Sequence, residues 1–289
     1  MSAIRNDRLA AALDRAVDQG DNAELIELLH RNSGLPGPRP NMELARAVGA
    51  AIARRESRGD RLLADLARED NKEYLRIVAA MTLAARALPP EGKVDKRRAA
   101  ARATEALADL QQLAEDPRHL VRIGLVEAVR MRIDLLGEPA VDELSAWTDG
   151  YLQAHIALEA LADKMLLTKL PSAEPVLARL DEAFTLADAS PRAAERTQGM
   201  RVLRQGMPQQ ITIFGARYPE VITWLEGKTN MQRPETREVV AGAISLMRRS
   251  VLSDADAQRL GGLLEASAKP RRDADKVVHG TRKRGKGRM

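Results

Sequence analysis

The chain contains no cysteine among its 289 residues. Disulfide bonds, thiolate zinc sites and cysteine nucleophiles are therefore excluded. Aromatic residues make up only 2 % of the composition, so the core must be built from leucine, alanine, valine, isoleucine and methionine. Sheets are enriched in aromatic and β-branched residues, whereas leucine, alanine and methionine favour helices. The composition therefore predicts an all-α fold.

Long apolar segments are also missing. No run approaches the roughly 18 apolar residues that a membrane-spanning helix needs. The N-terminal stretch MSAIRNDRLAAALDRAVD carries charges throughout, unlike a secretion signal. We expect a soluble, cytoplasmic protein with no membrane partner.

Signatures of catalysis and of metal binding are scarce. The histidines have no spacing that would place two ligands on one helical face. The stretch GLPGPRP has prolines where a phosphate-binding loop needs amide donors. We therefore predict no catalytic residue, no cofactor and no metal, and we expect a protein that is not an enzyme. The four histidines are His30, His119, His155 and His279.

Helical periodicity runs along most of the chain and is interrupted by short breaks. Aspartate and serine side chains cap the helix that follows, and proline fits its first turn. The breaks are Asp70-Asn71, Asp116-Pro117, Asp149-Gly150, Ser190-Pro191 and a weaker one at Pro234.

A basic residue recurs soon after each break. Successive members of this series lie 46, 33, 41 and 41 residues apart. Helix-pair repeats span roughly 33–47 residues, so the breaks are typical of repeat boundaries. A non-repetitive helical bundle with Asp-Pro turns would contain the same breaks. The series is Arg76, Arg122, His155, Arg196 and Arg237.

Two segments resemble HEAT repeats. They read LAREDNKEYLRIVAAMTLAA and LAEDPRHLVRIGLVEAV. The resemblance implies a right-handed α-solenoid of antiparallel helix pairs, whose second helices line a concave surface. In HEAT proteins, aspartate and arginine side chains of successive repeats form a hydrogen-bonded ladder. On this chain that role would fall to Asp70, Arg76, Asp116 and Arg122.

The chain divides into three predicted regions. Residues 1–40 hold two helices, over 3–19 and 21–31, which we interpret as an N-terminal cap. Residues 41–268 form the HEAT-like solenoid. Residues 269–289 contain nine lysines and arginines against two aspartates and few apolar residues, so we predict a basic disordered tail.

Basic residues are also concentrated in the second helices, whereas the rest of residues 1–268 is acidic. We predict that late-helix arginines form a stripe on the concave surface and that the tail extends it. The alternative is that these arginines only complement the negative C-terminal ends of helices. The candidate binding residues are Arg86, Arg130, Arg132, Arg201, Arg204, Arg248, Arg249, Arg282, Lys283, Arg284, Lys286 and Arg288.

Three functions fit such a surface. The first is a non-catalytic interaction scaffold that binds a protein partner through the concave surface. The second is nucleic-acid binding, because a basic stripe and tail suit a phosphate backbone. The third is a HEAT-like DNA glycosylase, which needs aromatic residues that stack on bases. Trp147 and Trp224 offer little for that role, so it is the least favoured.

Overall fold

A computed structural model describes residues 3–89 and 96–268, which form an all-α fold without strands. None of the described helices combines the length and apolar character that crossing a membrane requires. The helices are α1 (Ala3–Asp18), α2 (Ala23–Asn32), α3 (Met42–Ala53), α4 (Asp60–Ala67), α5 (Glu73–Arg86), α6 (Lys96–Leu113), α7 (His119–Leu136), α8 (Glu138–Glu143), α9 (Tyr151–Leu161), α10 (Lys164–Thr168), α11 (Glu174–Ala189), α12 (Gln198–Arg217), α13 (Glu220–Lys228), α14 (Pro234–Met247) and α15 (Asp254–Ala266). Three short 3-10 helices lie at Glu56–Gly59, Leu144–Asp149 and Arg192–Arg196.

The two helices predicted before residue 41 correspond to α1 and α2. They are separated near Gly20, whose φ of 74° lies in the left-handed region that glycine adopts without strain. The next helix, α3, begins at a side-chain cap, because the Asn41 carboxamide accepts the backbone N–H of Leu44 at 3.1 Å. Local capping and turn chemistry therefore set the boundaries that the sequence predicts here.

Six helices form a row in which each packs against the next. We call α3, α5, α7, α9, α12 and α14 the helix row. Other helices pack against its members: α4 and α6 on α5, α8 on α7, α11 on α9 and α12, α13 on α12, and α15 on α14. We call these six the outer helices. The apolar core follows the row from α3 to α14, because each amphipathic helix buries its apolar face against its neighbours.

Helix α5 is enclosed by its neighbours, and every residue from Tyr74 to Ala84 is buried. Glycines on the two flanking helices allow this close packing. A Cβ atom at Gly49 of α3 would lie 2.8 Å from the backbone of Met81. A Cβ atom at Gly124 of α7 would lie 2.9 Å from the Ile77 side chain. Helices α3 and α7 therefore both pack closely against α5 and exclude solvent from it.

One predicted second helix, over residues 150–169, is divided in the structure into α9 and α10. The division occurs at Asp163, whose carboxylate accepts the backbone N–H groups of Met165 at 2.9 Å and Leu166 at 3.0 Å. This side chain starts a new helix by capping, which interrupts the old one.

The prediction that a second helix starts at Ser190-Pro191 was wrong. A 3-10 helix, Arg192–Arg196, follows that proline, and α12 starts only after Thr197. The Thr197 hydroxyl caps α12 by accepting the N–H of Met200 at 3.3 Å. Arg196 therefore lies before the second helix, although the spacing of breaks placed it inside.

Candidate interaction surface

A buried ion pair connects the Asp116-Pro117 break to helix α5. Arg76 Nε on α5 lies 2.7 Å from Asp116 Oδ2, and the two side chains are 7 % and 2 % exposed. Arg118 also donates to the Asp116 carboxylate through its backbone N–H at 2.9 Å. Burial alone would raise the pKa of Asp116, but hydrogen bonds from Arg118 and the charge of Arg76 hold it below its ordinary value. The Asp116 carboxylate is therefore charged where it contacts α5.

The other ladder residues have different surroundings. Asp70 is exposed and pairs with Arg68 at 2.8 Å, within its own loop. Arg122 is buried and donates to the carbonyl oxygen of Pro117. In the described residues, Arg76 with Asp116 is the ion pair that connects two members of the predicted ladder.

Two arginines that the sequence did not identify bind backbone carbonyls of segments more than 40 residues earlier in the chain. Arg118, just before α7, donates to the carbonyl of Asn71 at 2.7 Å. Arg233, just before α14, donates to the carbonyls of Asp188 at 2.8 Å and Ser190 at 2.5 Å. Both precede the first residue of a row helix, and that shared position is the signal in the sequence that could have identified them.

Two predicted binding arginines reach across to neighbouring elements. Arg130 donates to the carbonyls of Glu159 at 2.8 Å and Ala160 at 3.3 Å, near the C-terminal end of α9. Arg132 is only 8 % exposed and forms two bonds to the Glu143 carboxylate, at 2.7 and 2.8 Å. These guanidinium groups are therefore engaged within the fold.

Arg86 and Arg204 are also held by internal carboxylates. Arg86 Nη1 lies 2.7 Å from Asp60, and Arg204 pairs with Glu195. The predicted tail residues Arg282, Lys283, Arg284, Lys286 and Arg288 lie outside the described residues.

The remaining three predicted arginines are exposed. Arg201 and Arg249 have no ion pair within residues 3–89 and 96–268. Arg248 lies 3.5 Å from Asp254, and both side chains are largely exposed. Arg201 lies near the start of α12, whereas the other two follow α14. These guanidinium groups can contact a ligand without first leaving a buried partner.

Helix α12 has an exposed polar stripe and contains no acidic residue in its 20 residues. The exposed positions over its first three turns are Gln198, Arg201, Gln205 and Gln209, which recur at spacings of three and four and so share one helical face. The other faces pack against α9, α11, α13 and α14. The stripe thus presents amide groups and a free positive charge on the row.

A partly buried polar cluster lies beside this stripe, between α9 and α12. Gln210 Nε2 donates to the Glu159 carboxylate at 2.9 Å, and Gly206 lies against the His155 ring. Burial lowers the pKa of His155 to about 4, and Arg122 also lowers it, against the opposite influence of Glu159. His155 is therefore neutral at pH 7, where it functions as a packed polar group.

The two tryptophans lie outside the helix row. Trp147, in the 3-10 helix Leu144–Asp149, is 3 % exposed and belongs to the core. Trp224, on α13, donates a hydrogen bond to Asp181 at 2.8 Å. Its ring meets the Phe184 ring edge to face, with 5.4 Å between the ring centroids. Neither indole lies on the surface formed by α12 and α14.

Residues 3–89 and 96–268 contain no group of three or more acidic or histidine side chains placed to hold a metal ion. No family model, no curated protein and no solved structure matches this chain.

Proposed function

We propose that this chain is a HEAT-like, right-handed α-solenoid of antiparallel helix pairs that acts as a non-catalytic interaction scaffold. Three observations support the architecture: the helix row, the outer helices packed against it, and the Arg76–Asp116 ion pair at a repeat boundary. Stacked pairs of this kind share one core and leave an extended face for partners.

The acid-free stripe of α12 is the observation that carries the proposed binding role. An arginine normally gains from a nearby carboxylate, as Arg86, Arg132 and Arg204 do in this fold. Arg201, near the start of α12, and Arg249, just after the end of the adjacent row helix α14, have no ion pair among the described residues. They are available for charge-assisted hydrogen bonds to a ligand.

The partner that suits this surface best is an acidic protein segment. Glutamine side chains can hydrogen-bond to its backbone, and the arginines can bind its carboxylates in a bidentate manner. Nucleic acid is the second candidate, favoured by the basic segment 269–289 together with the same stripe.

A binding titration tests the proposal. A fluorescein-labelled acidic peptide is added to the full chain and to the variant Arg201→Glu with Arg249→Glu. We expect the double variant to bind about tenfold or more weakly, because an exposed charge pair contributes up to about 1 kcal/mol and reversal adds repulsion. The matched control is Arg39→Glu with Arg54→Glu, which reverses two exposed arginines away from α12 and α14.

Equal affinity in the two double variants would contradict the proposed surface. A DNA duplex of matched charge distinguishes the second candidate. If nucleic acid is the ligand, duplex binding should exceed peptide binding and fall steeply between about 50 and 200 mM salt. Absence of binding to both probes would reject both candidates.

A further inference from the structure

A groove separates the outer helices α4 and α6. Helix α6 packs chiefly on α5, and a space of about 520 Å3 remains between it and α4. Leu63 and Ala67 of α4, Leu83 of α5, and Ala106 and Leu113 of α6 supply apolar lining. Most of these apolar side chains are nearly buried, so the groove has a narrow apolar base between polar walls and is open on one side.

The arginines in the lining are already neutralised by carboxylates of the fold. Each has a nearby acidic partner. Arg76 shares Asp116 with Arg118, and the charge of Glu69 acts on both arginines, so the lining arginines add no uncompensated positive charge. The pairs are Arg68–Asp70 at 2.8 Å, Arg76–Asp116 at 2.7 Å, Arg86–Asp60 at 2.7 Å and Arg102–Glu56 at 3.4 Å.

Two further carboxylates in the lining, Glu105 and Asp109, have no ion pair within the described ranges. Glu105 and Asp109 lie one turn apart on α6, where like charges repel. Burial, and then the charge of Glu105, raise the pKa of Asp109, against the opposite influence of Arg86. The uncompensated charge of the groove is thus negative.

We propose that the groove between α4 and α6 binds a lysine- or arginine-rich segment of a partner protein. Apolar side chains of the segment contact Ala64 and Ala67 of α4, and its cationic side chains pair with Glu105 and Asp109. This site goes beyond the proposed function, because it lies between outer helices, away from α12 and α14, and it selects the opposite charge.

The test uses the full chain and three labelled peptides. The first is a helical peptide of alanine, leucine and lysine, the second has glutamate in place of lysine, and the third is the chain's own segment 269–289. We expect the lysine peptide to bind and the glutamate peptide not to bind. The variant Glu105→Gln with Asp109→Asn should weaken lysine-peptide binding at least about tenfold.

The matched control is Glu174→Gln with Glu220→Gln. These carboxylates are exposed, lie in an open concavity beside Trp224, and have no ion pair among the described residues. The control should leave lysine-peptide binding unchanged. Equal weakening by both double variants, or by neither, would overturn the proposal, because binding would then depend on overall charge or on another site.

A second measurement locates the bound peptide. The chain lacks cysteine, so a single Ala64→Cys on the α4 wall can carry an environment-sensitive dye, with Ser245→Cys on α14 as the control position. The lysine peptide should change the emission at position 64 only. A change only at position 245 would overturn the proposal.

The same test also shows whether the groove binds the chain's own segment 269–289 instead of a partner. If only the 269–289 peptide binds and changes the emission at position 64, then the groove takes the chain's own segment, and the partner proposal is wrong. Arg201→Glu with Arg249→Glu should leave groove binding intact. A failure of the α12 surface and a failure of the groove are therefore observed separately.

Discussion

Helices α5 and α12 both belong to the middle of the helix row, and each packs between two other row helices. Residues 74–84 of α5 are all buried, and α3 and α7 are joined across it by an ion pair between Arg46 and Glu127. Helix α12 instead keeps an exposed stripe of glutamine and arginine. The second helix of the row, α5, is therefore enclosed by its neighbours, whereas the fifth, α12, keeps one face exposed to solvent.

Side-chain size and polarity explain the difference. Gly49 and Gly124 bring the neighbours of α5 close enough for their own side chains to meet above it. Four polar residues of α12 cannot be buried without partners, since each unsatisfied group would cost on the order of 1–3 kcal/mol. Packing between two row helices is therefore compatible with a fully buried helix or a partly exposed one. The size and polarity of the residues on that helix and its neighbours decide which occurs.

The largest predicted effect concerns the buried ion pair between Arg76 of α5 and Asp116. Asp116→Ala leaves the buried Arg76 without its carboxylate and should lower the free energy of unfolding by about 3–5 kcal/mol. Urea denaturation measures this change. The control Asp70→Ala removes an exposed carboxylate of the preceding break and should have no measurable effect. Similar losses in both variants would show that burial does not distinguish the two breaks.

The close packing over α5 gives the next effect. Gly49→Ala places a methyl group 2.8 Å from the backbone of Met81, so the helices must separate, and we expect a loss of about 2–3 kcal/mol. Gly242→Ala, on α14 beside α12, meets only the Pro208 side chain at 3.2 Å and should change stability by less than about 1 kcal/mol. Thermal unfolding of both variants checks the contrast; equal effects would contradict it.

A pH-dependent effect is expected beside α12. The pKa of His155 is about 4 in the fold and about 6.5 in the unfolded chain, so the unfolded state binds the proton more readily. Its contribution to stability is complete above pH 6.5 and is lost as the pH falls toward 4. We expect a loss of about 2 kcal/mol between pH 7 and pH 5.

Urea titrations at these two pH values should show a smaller pH dependence in His155→Gln. The control Gln209→Asn changes an exposed side chain of α12 that does not titrate and should keep the pH dependence of the unchanged chain. If His155→Gln keeps that dependence too, another group must be responsible for it.

The smallest effect concerns the ion pair across α5. Arg46 is nearly half exposed, and surface pairs contribute little because water and salt screen them. Arg46→Ala should therefore lower stability by less than about 1 kcal/mol, as measured by urea denaturation. A larger loss of stability would show that this ion pair, and not the contacts at Gly49 and Gly124, holds α3 and α7 against α5.

Sequence reasoning performed best where the signal was local. The Asp116-Pro117 break predicted the start of α7 correctly, because proline ends one helix and fits the start of the next. It failed at Ser190-Pro191, where the same chemistry produced a 3-10 helix and Thr197 supplied the cap. Several side chains could cap a helix in that stretch, and packing selected one of them.

The candidate binding residues were harder to predict. Arg201 and Arg132 look alike in the sequence, since both lie in second helices rich in apolar residues. In the structure, Arg201 is exposed and Arg132 is buried beside Glu143. No sequence pattern distinguishes them, because the partner of Arg132 comes from a different helix, α8.

Composition and spacing were sufficient to predict helices, an aliphatic core and regular breaks, because helix propensity, capping and amphipathic period act within a few residues of each other. Which charges stay free was decided only by tertiary structure. An ion pair such as Arg76–Asp116 joins residues about 40 positions apart, and its formation depends on how the helices stack. The groove between α4 and α6 has the same origin, since its walls come from separate helices that only folding brings side by side.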